Sequence, residues 1–278
     1  LPTKSLKTKW IALRTTETLP RHHIMRWMRT QTSVRHNFTL FSTAFAANHA
    51  AVVTVLSLSQ LLLGDQGSYQ AASLYITYAA TALLLSTPLL ERYGARKTLI
   101  ASATLYSVYV LSFPIALLFK SHSARLAVAL LGGIGGGVAA GCLWAAQGTY
   151  FARSAAEYSR LAAVPIEQAN SALASTFALI FLGMEVVLKL LPLCISAAVE
   201  HGPPSPPSPS PSPLAPLAPH QPTTSDIVTT SLFSVVALVS VVGLFYIRDL
   251  REDGDDDAQP STAEQRTSAL LTRVVPAD

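Results

Sequence analysis

Six apolar stretches of about twenty residues each occupy most of this chain, and nothing else in the sequence constrains its fold as strongly. They run Phe38–Leu63, Gln70–Leu90, Thr98–Phe119, Leu126–Ala146, Ala172–Ile195 and Ile227–Ile247. A helix rises about 1.5 Å per residue, so roughly twenty apolar residues cross a hydrocarbon core about 30 Å thick. No water is available inside that core, so main-chain N–H and C=O groups must bond within each stretch. The expected fold is an all-α membrane protein with six transmembrane helices.

Charge placement supports this reading. Charged residues make up 13% of the chain, against about a quarter of an ordinary soluble domain. The net charge of +4 would suit nucleic acid, but its distribution excludes that partner and points to the lipid bilayer. Lys4, Lys7, Lys9, Arg14, Arg21, Arg26, Arg29 and Arg35 all precede the first stretch, opposed only by Glu17. Such a juxtamembrane cluster sets topology and touches anionic headgroups.

The expected organisation follows. Residues 1–37 form a basic cytoplasmic leader, and 38–200 hold the first five spans. Residues 201–226 form a Pro/Ser-rich loop on the far side, 227–247 the sixth span, and 248–278 an acidic, disordered cytoplasmic tail. With the amino end inside, the inner segments 1–37, 91–97, 147–171 and 248–278 carry 17 of the 20 Lys and Arg. Both termini are therefore expected in the cytoplasm. Gly202–Pro222 has a proline at nearly every second position, which implies an extended polyproline II spacer. Asn37-Phe38-Thr39 matches a glycosylation sequon but falls on the inner side, where it reads as chance.

Within the spans, Gly133, Gly137 and Gly141 recur every four residues on one helical face, where they permit close helix packing. Gly135 through Gly137 also allow a hinge. Asn48 and His49 in the first span, with Glu185 and Lys189 in the fifth, are the candidate intramembrane polar site. Ionisable groups at that depth are costly and mark function or pairing. The i, i+4 spacing of Glu185 and Lys189 lets them neutralise each other. Cys142 and Cys194 read as small packing residues. No catalytic motif, metal-ligand pattern or cofactor loop occurs, so no enzyme activity and no cofactor is expected.

The short inner loop Glu91-Arg92-Tyr93-Gly94-Ala95-Arg96-Lys97 and the fourth span's end, Leu143-Trp144-Ala145-Ala146-Gln147-Gly148-Thr149-Tyr150, resemble the Unc-93-like (ion channel regulatory) family of the major facilitator superfamily. Gly141–Tyr150 is the most specific part, and the likeness covers roughly Asn37–Ala155 well. Glu91, Arg92, Gly94, Arg96 and Lys97 match the superfamily's inner-loop pattern in type. Thr87 replaces a glycine of that pattern and Ala95 a basic residue.

The resemblance implies twelve spans in two halves of 3+3 inverted repeats. The six spans here then correspond to the amino-terminal half, completed by a missing carboxy-terminal half or by a second copy. It further implies a regulator or trafficking partner of a channel or receptor, family members being partners of potassium channels or innate-immune receptors. The alternative is a secondary transporter half in which Asn48, His49 and Glu185 converge on one cavity. Trp144 and Tyr150 are expected to anchor the inner interface, and Arg92, Arg96 and Lys97 to hold the inner loop.

Overall fold

The computed structural model describes residues 21–199 and 223–250. The leader up to residue 20, the Gly202–Pro222 stretch and the acidic tail from residue 251 lie outside the described residues. Seven helices and no strand occur among the described residues: α1 Arg21–Ser57, α2 Ser59–Leu63, α3 Asp65–Leu84, α4 Ser86–Leu118, α5 His122–Ala162, α6 Ile166–Val199 and α7 Thr224–Phe245.

Among the described residues, five segments are long and apolar enough to cross a membrane: Thr32–Ser57, Ser86–Leu118, His122–Ala162, Ile166–Ile195 and Thr224–Phe245. The second expected span is the exception. Helix α3 has 20 residues, but its first turns read Asp65-Gln66-Gly67-Ser68-Tyr69-Gln70 and lower its hydropathy. These amides are spent on neighbours. Gln66 Nε2 donates to the His122 carbonyl at 3.2 Å, and Gln70 Nε2 to the Ser112 hydroxyl at 3.1 Å.

The expected range Gln70–Leu90 also straddles a helix boundary, because α3 ends at Leu84. The chain then enters α4 and breaks at Gly94, whose φ of 77° and ψ of 163° are non-helical. Only glycine takes such a conformation without steric cost. The expected loop over 91–97 is therefore a single-residue break between helical residues 86–93 and 95–118.

Helix α5 likewise runs sixteen residues past the expected end of the fourth span, into the expected inner segment 147–171. Tyr150, Ser154 and Ala155 give this extension a buried face at helical spacing, which a hydropathy average over Arg153, Glu157 and Arg160 conceals. It ends at Ala163 in the left-handed conformation, φ 51°, just before Pro165, which cannot continue a helix. Helix α7 begins with a capping box: the Asp226 amide donates to Thr223 Oγ1 at 3.2 Å, and the Thr223 amide to Asp226 Oδ2 at 2.8 Å.

Helix α5 packs most extensively on α4 and α3, α1 packs on α6 and α7, and α4 meets α7. Glycine allows the α3–α5 contact. A Cβ on Gly133 would strike the Gln70 carbonyl oxygen, and one on Gly137 the Leu74 carbonyl oxygen. At Gly141 it would lie 2.8 Å from the Ala82 amide nitrogen. The neighbouring pair Gly132 and Gly136 faces α4 instead, against Ser112 and Tyr109. Close backbone approach is how membrane helices gain dispersion contact where lipid removes the hydrophobic drive. The helix stays regular through Gly135–Gly137, so this stretch is a contact surface and carries no break.

Helix α6 is the outlier. Only 6% of its most apolar window is buried, against 61% for α1 and α4. Leu179, Leu182, Val186, Leu190 and Leu193 stand exposed along it. Cys194 is exposed there too, while Cys142 is buried, so only the latter has the expected packing role.

Candidate functional site

Asn48 sits in the middle of α1 and is 1% exposed. Its side-chain amide donates to the hydroxyls of Ser107 on α4 and Ser240 on α7, at 3.2 and 3.0 Å. The Ala103 and Ala237 carbonyls lie 3.3 and 3.2 Å from the same nitrogen. Each serine hydroxyl in turn donates to its own helix, Ser107 to Ala103 and Ser240 to Ala237. Two amide hydrogens thus serve two donors-in-turn, and one side chain ties three helices together.

His49, the next residue, turns the other way. Its ring stands 5.1 Å from Trp144 on α5, 5.2 Å from Phe181 on α6, and 6.1 Å from Phe45. On α1, Phe41 meets Phe177 and Phe45 meets Phe177 and Phe181 of α6, while Phe38 meets Phe151 of α5 edge-on. Such tilted and edge-on pairs hold helices beyond simple area burial. Glu185 and Lys189 form an ion pair at 2.6 Å on the flank of α6, at 23% and 46% side-chain exposure. Phe181, one turn before Glu185, is the α6 residue stacked on His49. Of the candidate polar site, His49 and Glu185 therefore share the α1–α6 side, while Asn48 serves the opposite α4–α7 side.

A second cluster gathers at the carboxy end of α7. Asn37 Nδ2 donates to the Tyr150 hydroxyl at 2.9 Å. The Tyr150 hydroxyl donates to the Arg248 carbonyl at 2.9 Å, and the Arg248 amide donates to Asn37 Oδ1 at 2.7 Å. The three bonds close a ring joining α1, α5 and the exit of α7. Arg96, two residues past the Gly94 break, completes it. Its Nε donates to the Ile247 carbonyl at 2.8 Å and its Nη2 to the Phe245 carbonyl at 2.7 Å. A guanidinium on the last carbonyls satisfies orphan acceptors and complements the negative helix end.

Other inner-loop residues are arranged differently. Glu91, Arg92 and Lys97 are exposed, and Arg92 stacks over the Tyr93 ring at 5.8 Å. Among residues of the resembling motif, Leu143 is buried at 1% exposure. Gly148 meets nothing within 4 Å. Thr149 donates to the Ala145 carbonyl at 3.0 Å, and Gln147 is half-buried. Of the two aromatics, Trp144 is half-buried among rings, and Tyr150, 1% exposed, closes the hydrogen-bond ring.

Two features escaped the sequence reading. Asn37 belongs to a sequon pattern, yet it is 7% exposed with both amide ends bonded, so its nitrogen is held inside the fold. The phenylalanine faces were also legible in principle, since Phe41, Phe45 and His49, like Phe177, Phe181 and Glu185, recur every four residues.

No curated protein matches the chain. A family model described as ion channel regulatory protein UNC-93 matches residues 63–273. The match begins at the end of α2, so it leaves out α1 and takes in α6 and α7. It covers about three quarters of the sequence, from the polar start of α3 through the clamped end of α7. This multi-pass membrane protein thus belongs to the UNC-93 family of ion channel regulatory proteins.

Proposed function

We propose that the chain is a non-catalytic regulator or trafficking partner of a channel or receptor in the same membrane. The family match is the observation that carries this reading. The placement of its intramembrane polar groups supports it: the Asn48 side-chain nitrogen is engaged in helix contacts with α4 and α7, and Glu185 pairs with Lys189 on α6. The lining of a solute path would leave such groups turned to a common cavity.

Six spans in a major facilitator arrangement accompany this reading. Helix α3, at 20 residues, has the length of a span, and its glycine-lined contact with α5 supports its place among the others. The most extensive contacts are related by exchange of α1 with α5, α3 with α6 and α4 with α7: α5 packs on α3 and α4 as α1 packs on α6 and α7, and α4 meets α7. That symmetry supports a 3+3 repeat. The loop charges support cytoplasmic termini. The uncovered apolar length of α6 supports a second six-helix half, another copy or the regulated protein as its neighbour.

The test is co-expression with a potassium channel, reading current density and surface channel together. A change in either that is lost with the double substitution Leu179→Trp, Leu182→Trp on α6 is expected. Unchanged current and surface level in the presence of wild-type protein would remove the regulatory role.

A further inference from the structure

Between α4 and α5 lies a groove of about 310 Å³ whose walls are apolar, a volume within the range of small-ligand sites. The break at Gly94 lets residues before it face residues after it: Thr98 Oγ1 donates to the Leu89 carbonyl at 3.5 Å, and Leu89 and Tyr93 line the groove together with Ala101 and Leu105. Small side chains leave the gap unfilled: Ala101 and Ser102 on one wall, Ala139 and Cys142 on the other. Close-packed interiors do not keep such volume empty.

The one charged lining residue is Lys97, which is exposed and, among the described residues, has no carboxylate within ion-pair distance. Arg92 adds a second cation, stacked over the ring of Tyr93, which also lines the groove. The site therefore combines an apolar slot, an amphipathic ring at its rim and unneutralised cations at one end. Basic pockets between membrane helices recognise lipid headgroups by that combination.

We infer that this groove binds one anionic phospholipid, with an acyl chain along Ala101, Leu105 and Cys142 and the phosphate at Lys97. Charge complementarity selects the headgroup, and the apolar walls exclude a free anion as the principal ligand. The inference rests on the reading that this basic end faces the inner leaflet. Binding to detergent-purified protein does not require the regulatory role, so the two fail separately.

The experiment is retention of phosphatidylglycerol against phosphatidylcholine by the purified full chain in detergent, read by native mass spectrometry. Wild-type protein should retain one phosphatidylglycerol in preference. Lys97→Gln, at an exposed position, should lower that preference by about fivefold. Ala101→Trp, which fills the slot, should lower retention of both lipids while the protein stays monodisperse; if that variant does not fold, Lys97→Gln decides alone. Equal retention of the two lipids by wild-type protein, or a preference unchanged by Lys97→Gln, would overturn the assignment. Displacement of the lipid by equimolar glycerol phosphate would also overturn it, by making the anion alone the ligand.

Discussion

Asn37 and Tyr150, 113 positions apart, are joined by a 2.9 Å hydrogen bond, and both close on the main chain of Arg248. Tyr150→Phe removes the hydroxyl from both of its bonds and leaves the Asn37 amide short of an acceptor. A loss of about 1–3 kcal/mol is expected, the cost of a buried polar group left without a partner. Thermal unfolding in detergent reads it. A double-mutant cycle with Asn37→Ala should show coupling of at least about 0.5 kcal/mol, and strict additivity would dissolve the ring as a unit.

Arg96 donates through two nitrogens to carbonyls two residues apart. Lysine keeps the charge but not the planar fork. Arg96→Lys should therefore retain part of the stabilisation and Arg96→Gln little of it, within a total of about 0.3–2 kcal/mol. Hydrogen exchange of the amides at 245–248 should accelerate in that order. Equal exchange in all three proteins would deny the cap.

The glycine face makes a sharper demand. Gly137→Ala drives a methyl group into the Leu74 carbonyl and Tyr78 amide of α3, whereas Gly148→Ala meets open space. The first should lower folded yield and monodispersity, and the second should leave both unchanged. A tolerated Gly137→Ala would mean that α3 and α5 stand further apart.

The ion pair on α6 carries a sign that distinguishes structure from chemistry. Glu185→Gln or Lys189→Gln alone strands one charge beside lipid, while the double substitution strands none. The double variant should express better than either single one. The reverse order would indicate that a charge at 185 or 189 serves something other than its neighbour.

Much of this architecture can be read from hydropathy, because a bilayer imposes length and apolarity together. The face of Gly133, Gly137 and Gly141 is written in its spacing, but the identity of its partner helix is not, since any close backbone would suit. Helix α3 blurs the rule because the side-chain nitrogens of Gln66 and Gln70 donate to α5 and α4, and a polar residue with a tertiary partner looks the same in sequence as one facing water. Asn48 was visible as an oddity in an apolar span, although its acceptors on α4 and α7 lie 55 to 192 residues away. Tyr150 and Arg96 illustrate the remaining difficulty. Both look like interface residues by type, and only the exit path of α7 turns them into a clamp.

The most direct test of the six-span arrangement uses single cysteines in a Cys194→Ser background, since Cys142 is buried. Asp65→Cys lies at the start of α3 and Glu91→Cys in the part of α4 that precedes the Gly94 break, both exposed, and an impermeant maleimide applied to intact cells and then to permeabilised cells reports the side of each. Labelling of Asp65→Cys from outside and of Glu91→Cys only after permeabilisation is the expected result. Labelling of both from the same side would contradict it, and would remove α3 from the membrane along with the orientation of everything that follows.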